Sequence, residues 1–400
     1  MSITSHSEVV AGGGHDFMVV HHLLVRGSNR EVGRVLTDTA RQSGASLPRA
    51  ADQTRNRARR RWFEHNWPQH YARMEGVAAA YGRDLDDDEF DFSRLEPELL
   101  PDPSAVHCSA MWVPSRANTD GRASVGRNLD FSTRTVSELL GGSCQPGEEP
   151  VGSRPYVIET YPNDSAAAIV VALGDFTGCV EGLNEHGLTV ALLADDESMS
   201  DATTTLRPTL APQAGLNELH VLRYLLDTCA TAQAAREALY EAKQYDEYAV
   251  AHYLIADNDD AFVWERNTHN AEYAVDADLD GLCVTNHLLH RRTRPSDIPD
   301  DIDGNPAANN SYGRSRSLYA SLARAPLSAD ALWDALEAVR AQGGTEDPDL
   351  QQPPVRTLWH SQYDIEARSV RFEFYLGDTA DGSPRRSAQQ HFWFERDRSV

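Results

Sequence analysis

Over much of the chain, apolar residues fall in short runs closed by Asn, Asp or Gly, the pattern of short strands between turns. Residues 165–176 (SAAAIVVALGDF), 177–183 (TGCVEGL) and 188–194 (LTVALLA) are such runs, the last two joined by a polar NEHG turn ending in Gly187. Residues 251–257, 261–266, 271–275 and 282–289 repeat the pattern, and 357–375 predict a final hairpin. Helical spacing takes over elsewhere. Residues 29–82 read mainly as helix and stop at Gly82; in 216–242, Leu219, Leu222 and Leu226 share a face. Further helices are predicted at 311–323 and 328–344, the second with Ser328 as N-cap, Leu332, Leu336 and Val339 on one face, and Gly343 as its stop. Groups of strands alternating with helical blocks indicate an α+β layered fold, not a doubly wound one.

One boundary stands out. The acidic run at 84–92 and the loop at 96–107, interrupted by Pro101 and Pro103, end directly at Cys108. The chain therefore divides into a leader, 1–107, and a main domain, 108–400.

Composition removes several classes of function. The chain has 400 residues and a net charge of −24, which argues against nucleic acid as a partner, since duplex binding needs a positive surface. The basic run at 55–62 (RNRARRRW) reads as the solvated face of a helix. Lys243 is the only lysine, and the acid excess fits a protein that stays soluble in high salt. The five cysteines, Cys108, Cys144, Cys179, Cys229 and Cys283, are widely spaced with no CxxC pair, so neither a disulfide framework nor a zinc site is indicated. No signal segment opens the chain, and FMVVHHLLV (17–25) is too short and polar to span a bilayer. The expectation is a soluble, reduced, cytoplasmic protein.

No metal or cofactor is indicated. DADLDG (276–281) opens like a calcium loop but has His287 where a bidentate Glu is needed. The histidines lack HExxH spacing, AGGGHDF lacks the register of a phosphate loop, and no GxSxG elbow occurs. Cysteine chemistry remains. A thiol needs a base, and a free α-amino group on the same residue, with a pKa near 8, supplies one when that cysteine comes first in its chain. Arg127 and Asp130 are candidate tuning charges; a buried structural cysteine beside an ordinary strand pair is the plain alternative.

HCSAMWVPS (107–115) followed by GRNLDF (126–131) resembles the N-terminal-nucleophile cysteine hydrolases. Within them it is similar to the group of choloylglycine hydrolases, penicillin V acylases and acyl-CoA:6-aminopenicillanate acyltransferases. GCVEGLNEHGLTVALL (178–193), LCVTNH (282–287), NSYGRSRSLY (310–319) and the hairpin from 357 agree in order with that group. The resemblance implies a four-layer αββα sandwich of two antiparallel sheets between helical layers. It implies Cys108 as nucleophile, Arg127 and Asp130 as the pair that holds it, Asn286 as oxyanion donor and Arg314 as a supporting arginine, with Arg316 as the other register. A side-chain oxyanion donor is missing after the hairpin, where Ala194 offers only its backbone N–H. With about a hundred residues ahead of the cysteine, activation implies cleavage at His107–Cys108, with the leader retained as a separate chain. The implied reaction is hydrolysis of a small N-acyl amide through a thioester. In the loop between Asn286 and Arg314, Arg291, Arg292 and Arg294 are candidates either to meet a substrate carboxylate or to balance neighbouring acids on the surface. An acyl-CoA-dependent N-acyltransferase and an uncut, non-catalytic binding protein are the alternatives.

Overall fold

The apolar runs become the middle of two stacked sheets. The computed structural model describes residues 3–95, 106–139, 141–195, 198, 213–247, 249–266, 271–292, 294–299, 310–341 and 355–394. The first sheet has nine strands in the order β1 (Thr4–Ala11), β2 (Val20–Gly27), β5 (Tyr156–Pro162), β6 (Ala168–Ala172), β7 (Glu181–Asn184), β8 (Thr189–Ala194), β9 (Ala251–Ala256), β10 (Ala261–Arg266), β11 (Glu272–Asp276). The second runs β12 (Leu282–Val284), β3 (Val106–Val113), β4 (Ser124–Ser132), β13 (Val355–Asp364), β14 (Ser369–Asp378), β15 (Pro384–Arg386), with β16 (Gln390–Trp393) also on β14. Pairing is antiparallel except between β2 and β5, which run parallel. Strands β6 to β10 are buried along their whole length, which is why their sequences are mostly apolar and do not alternate, with a few buried polar residues such as Glu181, His252 and Glu265.

Helices cover both outer faces. α1 (Asn29–Gln42) lies on β2 and β5, while α5 (Glu218–Thr228) and α6 (Ala232–Glu241) lie on β7 to β9. α7 (Ser311–Leu322) and α8 (Ala329–Glu337) cover the second sheet. α2 (Gln53–Asn66) and α3 (Pro68–Ala80) complete the leader's helices, and α4 (Val136–Leu139) is a single turn. The layers are thus helix, sheet, sheet, helix, as expected. No helix among the described residues is long and apolar enough to cross a membrane.

Three local outcomes differ from the sequence reading. The helical stretch 29–82 is three helices, the last two separated at Trp67–Pro68, where proline takes the first helical position. The block 216–242 breaks at Cys229–Thr231, where Thr231 caps the second helix by accepting from Ala234 N–H. Ser328 caps α8 as expected; Gly343 lies outside the described residues.

The third difference concerns the leader. FMVVHHLLV contributes most of β2, so residues ahead of Cys108 supply two strands of the nine-stranded sheet. α1 and α3 cross at Gly33 and Gly76, where a Cβ would meet the Arg73 carbonyl oxygen at 2.1 Å and the Arg30 carbonyl oxygen at 2.0 Å. From α3, Arg73 reaches across to pair with Asp227 of α5 at 2.6 Å, and Trp67 Nε1 donates to the same carboxylate at 3.0 Å. Arg223 pairs with its other oxygen at 3.2 Å. Burial would raise the Asp227 carboxyl, but the Arg73 and Arg223 charges more than reverse this and hold it below its ordinary range. Asp227→Ala leaves two buried guanidiniums without their counter-charge and is expected to cost about 3–5 kcal/mol. Urea denaturation reads this directly; a midpoint equal to wild type contradicts it.

Candidate active site

Cys108 sits third in β3, fully buried, with Leu129 of β4 opposite it. The chain runs through it as an ordinary strand, with Val106 and His107 also paired to β4. Register does the positioning. On β4, Arg127 lies opposite Ala110 and Asp130 opposite His107, so both side-chain positions flank the cysteine at fixed offsets.

Arg127 has no exposed surface and spans the gap between the sheets. Its Nη2 donates to the Leu192 carbonyl at 2.6 Å and lies 3.6 Å from Cys108 Sγ, while Nη1 pairs with Glu181 of β7. Glu181 also accepts from Trp359 Nε1 at 3.1 Å, so the carboxylate that balances Arg127 is itself held from the second sheet. Asp130 accepts a hydrogen bond from the Thr357 hydroxyl, and its other oxygen is buried with no hydrogen-bond partner among the described residues. Burial pushes the Asp130 carboxyl up, against the Arg314 charge and the Thr357 hydrogen bond.

Asn286 follows β12, and its amide orientation is forced by its partners. Its Oδ1 accepts from Cys108 N–H at 2.9 Å and from Arg314 Nη2 at 2.7 Å; its Nδ2 donates to the Ala194 carbonyl at 2.8 Å. One amide hydrogen is left over. Thr285 and Ser311 fix the turn: Asn286 N–H donates to Ser311 Oγ at 2.9 Å, and the Thr285 hydroxyl donates to the Ser311 carbonyl at 3.0 Å. α7 starts at Ser311 and so brings Arg314 in on its first turn. Arg314 Nη1 donates to the Cys108 carbonyl and to Ser109 Oγ, the latter at 2.7 Å. Arg316 instead donates to the Pro299 carbonyl, so Arg314 is the arginine that reaches the cysteine.

Ala194 ends β8. Because Asp195 N–H bonds to the Val250 carbonyl, the N–H and C=O of Ala194 turn away from β9. The carbonyl meets Asn286, and the N–H faces the thiol of Cys108. The site as folded therefore turns the Ala194 N–H toward the sulfur and holds the Asn286 amide against the Cys108 backbone. Burial pushes the Cys108 thiol up, and the Asp130 charge adds to this. The Arg127 and Arg314 charges and the Ala194 N–H oppose it.

Five residues predicted from sequence, Cys108, Arg127, Asp130, Asn286 and Arg314, converge with Ala194. The arginines of the following loop do not join them in the same way. Arg294 borders a groove of about 560 Å³ with Tyr240, Tyr273 and His290, whose lining does not include Cys108, and Arg292 lies over the Tyr312 ring at 4.9 Å. Arg291 is exposed. Glu181, Ser109 and Thr357 were missed. Glu181 carried a signal, a lone carboxylate inside an apolar run, which demands a buried cation. Among the described residues, no three His, Cys, Asp or Glu side chains converge as a metal site requires.

No curated protein matches the chain. Among solved structures, penicillin V acylase from Agrobacterium tumefaciens is 15% identical with a TM-score of 0.44, covering 70% of this chain and 84% of its own. A conjugated bile acid hydrolase from Clostridium perfringens is 13% identical with a TM-score of 0.43, covering 72% and 97%. The Caenorhabditis elegans N-acylethanolamine-hydrolysing acid amidase orthologue is 14% identical with a TM-score of 0.37, covering 64% and 93%. The sequence profile of the acyl-coenzyme A:6-aminopenicillanic acid acyl-transferase family matches residues 117–375, more than half of the chain, with Cys108 just ahead of the matched span. The chain belongs to that family.

Proposed function

We propose that this protein is a cysteine amidohydrolase that cuts its own chain at His107–Cys108 and then cleaves linear amides of small N-acyl compounds. The observation that carries the reading is the hydrogen bond from the Cys108 backbone nitrogen to Asn286 Oδ1, at 2.9 Å. That nitrogen is an amide in the uncut chain and becomes an α-amine on cleavage. A base is thereby created beside the thiol, already held by a group of the site.

In the first reaction Cys108 Sγ attacks the His107 carbonyl carbon, the C–N bond to Cys108 breaks, and its nitrogen leaves as the amine. Water then hydrolyses the thioester to give the His107 carboxylate and a free thiol. In turnover, the amine takes the thiol proton as sulfur attacks the substrate carbonyl. The spare Asn286 hydrogen and the Ala194 N–H receive the developing oxyanion. Collapse breaks the substrate C–N bond, the departing nitrogen takes the proton back, and a thioester acyl-enzyme remains. Water releases the acid. Arg127 supplies positive charge beside the sulfur without acting as a base, since its own proton is held by Glu181.

Family membership favours a second reading, in which an amine acceptor or coenzyme A replaces water at the thioester. Incubation with an N-acyl amide and a second amine separates the two. Free acid in excess supports hydrolysis; amide exchange that outpaces acid release supports transfer.

Two substitutions test the roles. Asn286→Ala is expected to lower kcat about 10²–10³-fold by removing one oxyanion donor; a loss below about threefold in the folded variant contradicts that role. Arg127→Gln removes the strongest charge favouring the thiolate, so the thiol climbs further. The acid limb of the kcat/KM profile then moves to higher pH, and an unmoved or lowered limb counts against the assignment.

A further inference from the structure

A second buried group of charges lies behind the oxyanion donors and is used by no step above. His252 of β9 is fully buried opposite Leu193 of β8. Its Nε2 lies 2.6 Å from the carbonyl oxygen of Thr285, the residue before Asn286. Its Nδ1 lies 3.4 Å from Glu265 Oε1 on β10, which is also without exposed surface. A backbone carbonyl only accepts, and a lone pair on Nδ1 would be repelled by the carboxylate. Nε2 therefore carries hydrogen. Nδ1 has no hydrogen-bond partner among the described residues, and the carboxylate beside it favours a second hydrogen there and so an imidazolium.

Glu265 is held in turn. It accepts from the Leu289 and His290 N–H groups at 2.6 and 2.9 Å, and His290 Nδ1 is 2.7 Å from it. The third neighbour is Asp195, 1% exposed and directly after Ala194. Burial pushes the Asp195 carboxyl up to about 6, with the His252 charge opposing. His287, on the far side of Asn286, is pushed down to about 3 by burial and then by the His252 charge, so it stays neutral. Among the described residues, Asp195, Glu265 and His287 are thus the titratable groups that face His252.

We propose that His252, paired with Glu265, is the positioning residue for the Asn286 oxyanion donor. Through the Thr285 carbonyl it fixes the turn bearing Asn286. This role rests on the reading of Cys108 as nucleophile, but its physical content can be measured without turnover.

The decisive experiment uses the wild-type protein labelled with ¹⁵N-histidine, observed one to two pH units above the ordinary histidine value of about 6.5. The ring signal assigned by its loss in His252→Gln is expected to show both nitrogens protonated; a neutral tautomer overturns the proposal. Turnover gives the second readout, on cleaved Glu265→Gln. With the carboxylate gone, the imidazolium loses its proton at lower pH. The alkaline limb of kcat then moves to lower pH, because the charged form exists only below the His252 pKa. At fixed pH kcat is expected to fall about 10- to 100-fold, as for a small displacement of a catalytic group, with KM within about twofold. A parallel change in KM, or a fall in kcat with no movement of the limb, marks a merely structural role and overturns the proposal. If wild type has no turnover that depends on Cys108, it is the proposed reaction that fails, and the ring-nitrogen result still stands.

Discussion

The structure depends on a guanidinium kept away from water. Arg127 lies between the two sheets with no exposed surface, and its desolvation is tolerable only because Glu181 answers it from the opposite sheet. That pair sets the spacing of the sheets at the point where Cys108 lies. It also holds Nη2 of the guanidinium between the Leu192 carbonyl and the sulfur, which lies 3.6 Å away. Trp359 on β13 and the Leu192 carbonyl on β8 complete the arrangement, so strands from both sheets are committed to a single charge. The rest of the site is backbone register, since β3 and β4 could not slip by one residue without turning Arg127 away from the thiol.

The leader belongs to the same logic. A pro-segment laid over a finished domain would leave that domain's sheets intact when removed. Here β1 and β2 extend the nine-stranded sheet, β2 is the parallel neighbour of β5, and Arg73 neutralises Asp227 inside the helical layer. Removing residues 4–95 would expose β5 and leave Asp227 with Arg223 alone as its counter-charge. The proposed cut therefore creates a new chain end without creating a separable piece, and the free energy of the leader's contacts remains with the enzyme.

Much of this was legible in the sequence where the signal was local. The hairpin through Gly187 and the Ser328 cap depend on residues a few positions apart, and those readings agree with the structure. The layered α+β organisation followed from the same local signals. What was not legible was pairing across long separations. β1, β2 and β5 went unpredicted because the histidines of the second and the polar surface of the first mask any strand periodicity. The pairing of β2 with β5 also spans more than a hundred residues, as His21 and Tyr156 show. Glu181 and His252 were hidden for a related reason. Each is one polar residue in an apolar strand, and only the folded chain shows which buried cation or carbonyl it answers. Arg314 and Arg316 could not be separated by spacing alone; the start of α7 at Ser311 separates them.

The central claim is that Cys108 becomes a chain terminus. Intact mass and N-terminal sequencing of the purified protein, beside a Cys108→Ala variant, test it most directly. The account predicts that wild type yields two chains meeting at His107–Cys108, the second beginning Cys-Ser-Ala-Met, which stay together until denatured, while the variant remains whole. Wild type recovered as one uncut chain, fully active or fully inert, would contradict it, because the α-amine on which the mechanism depends would never have formed.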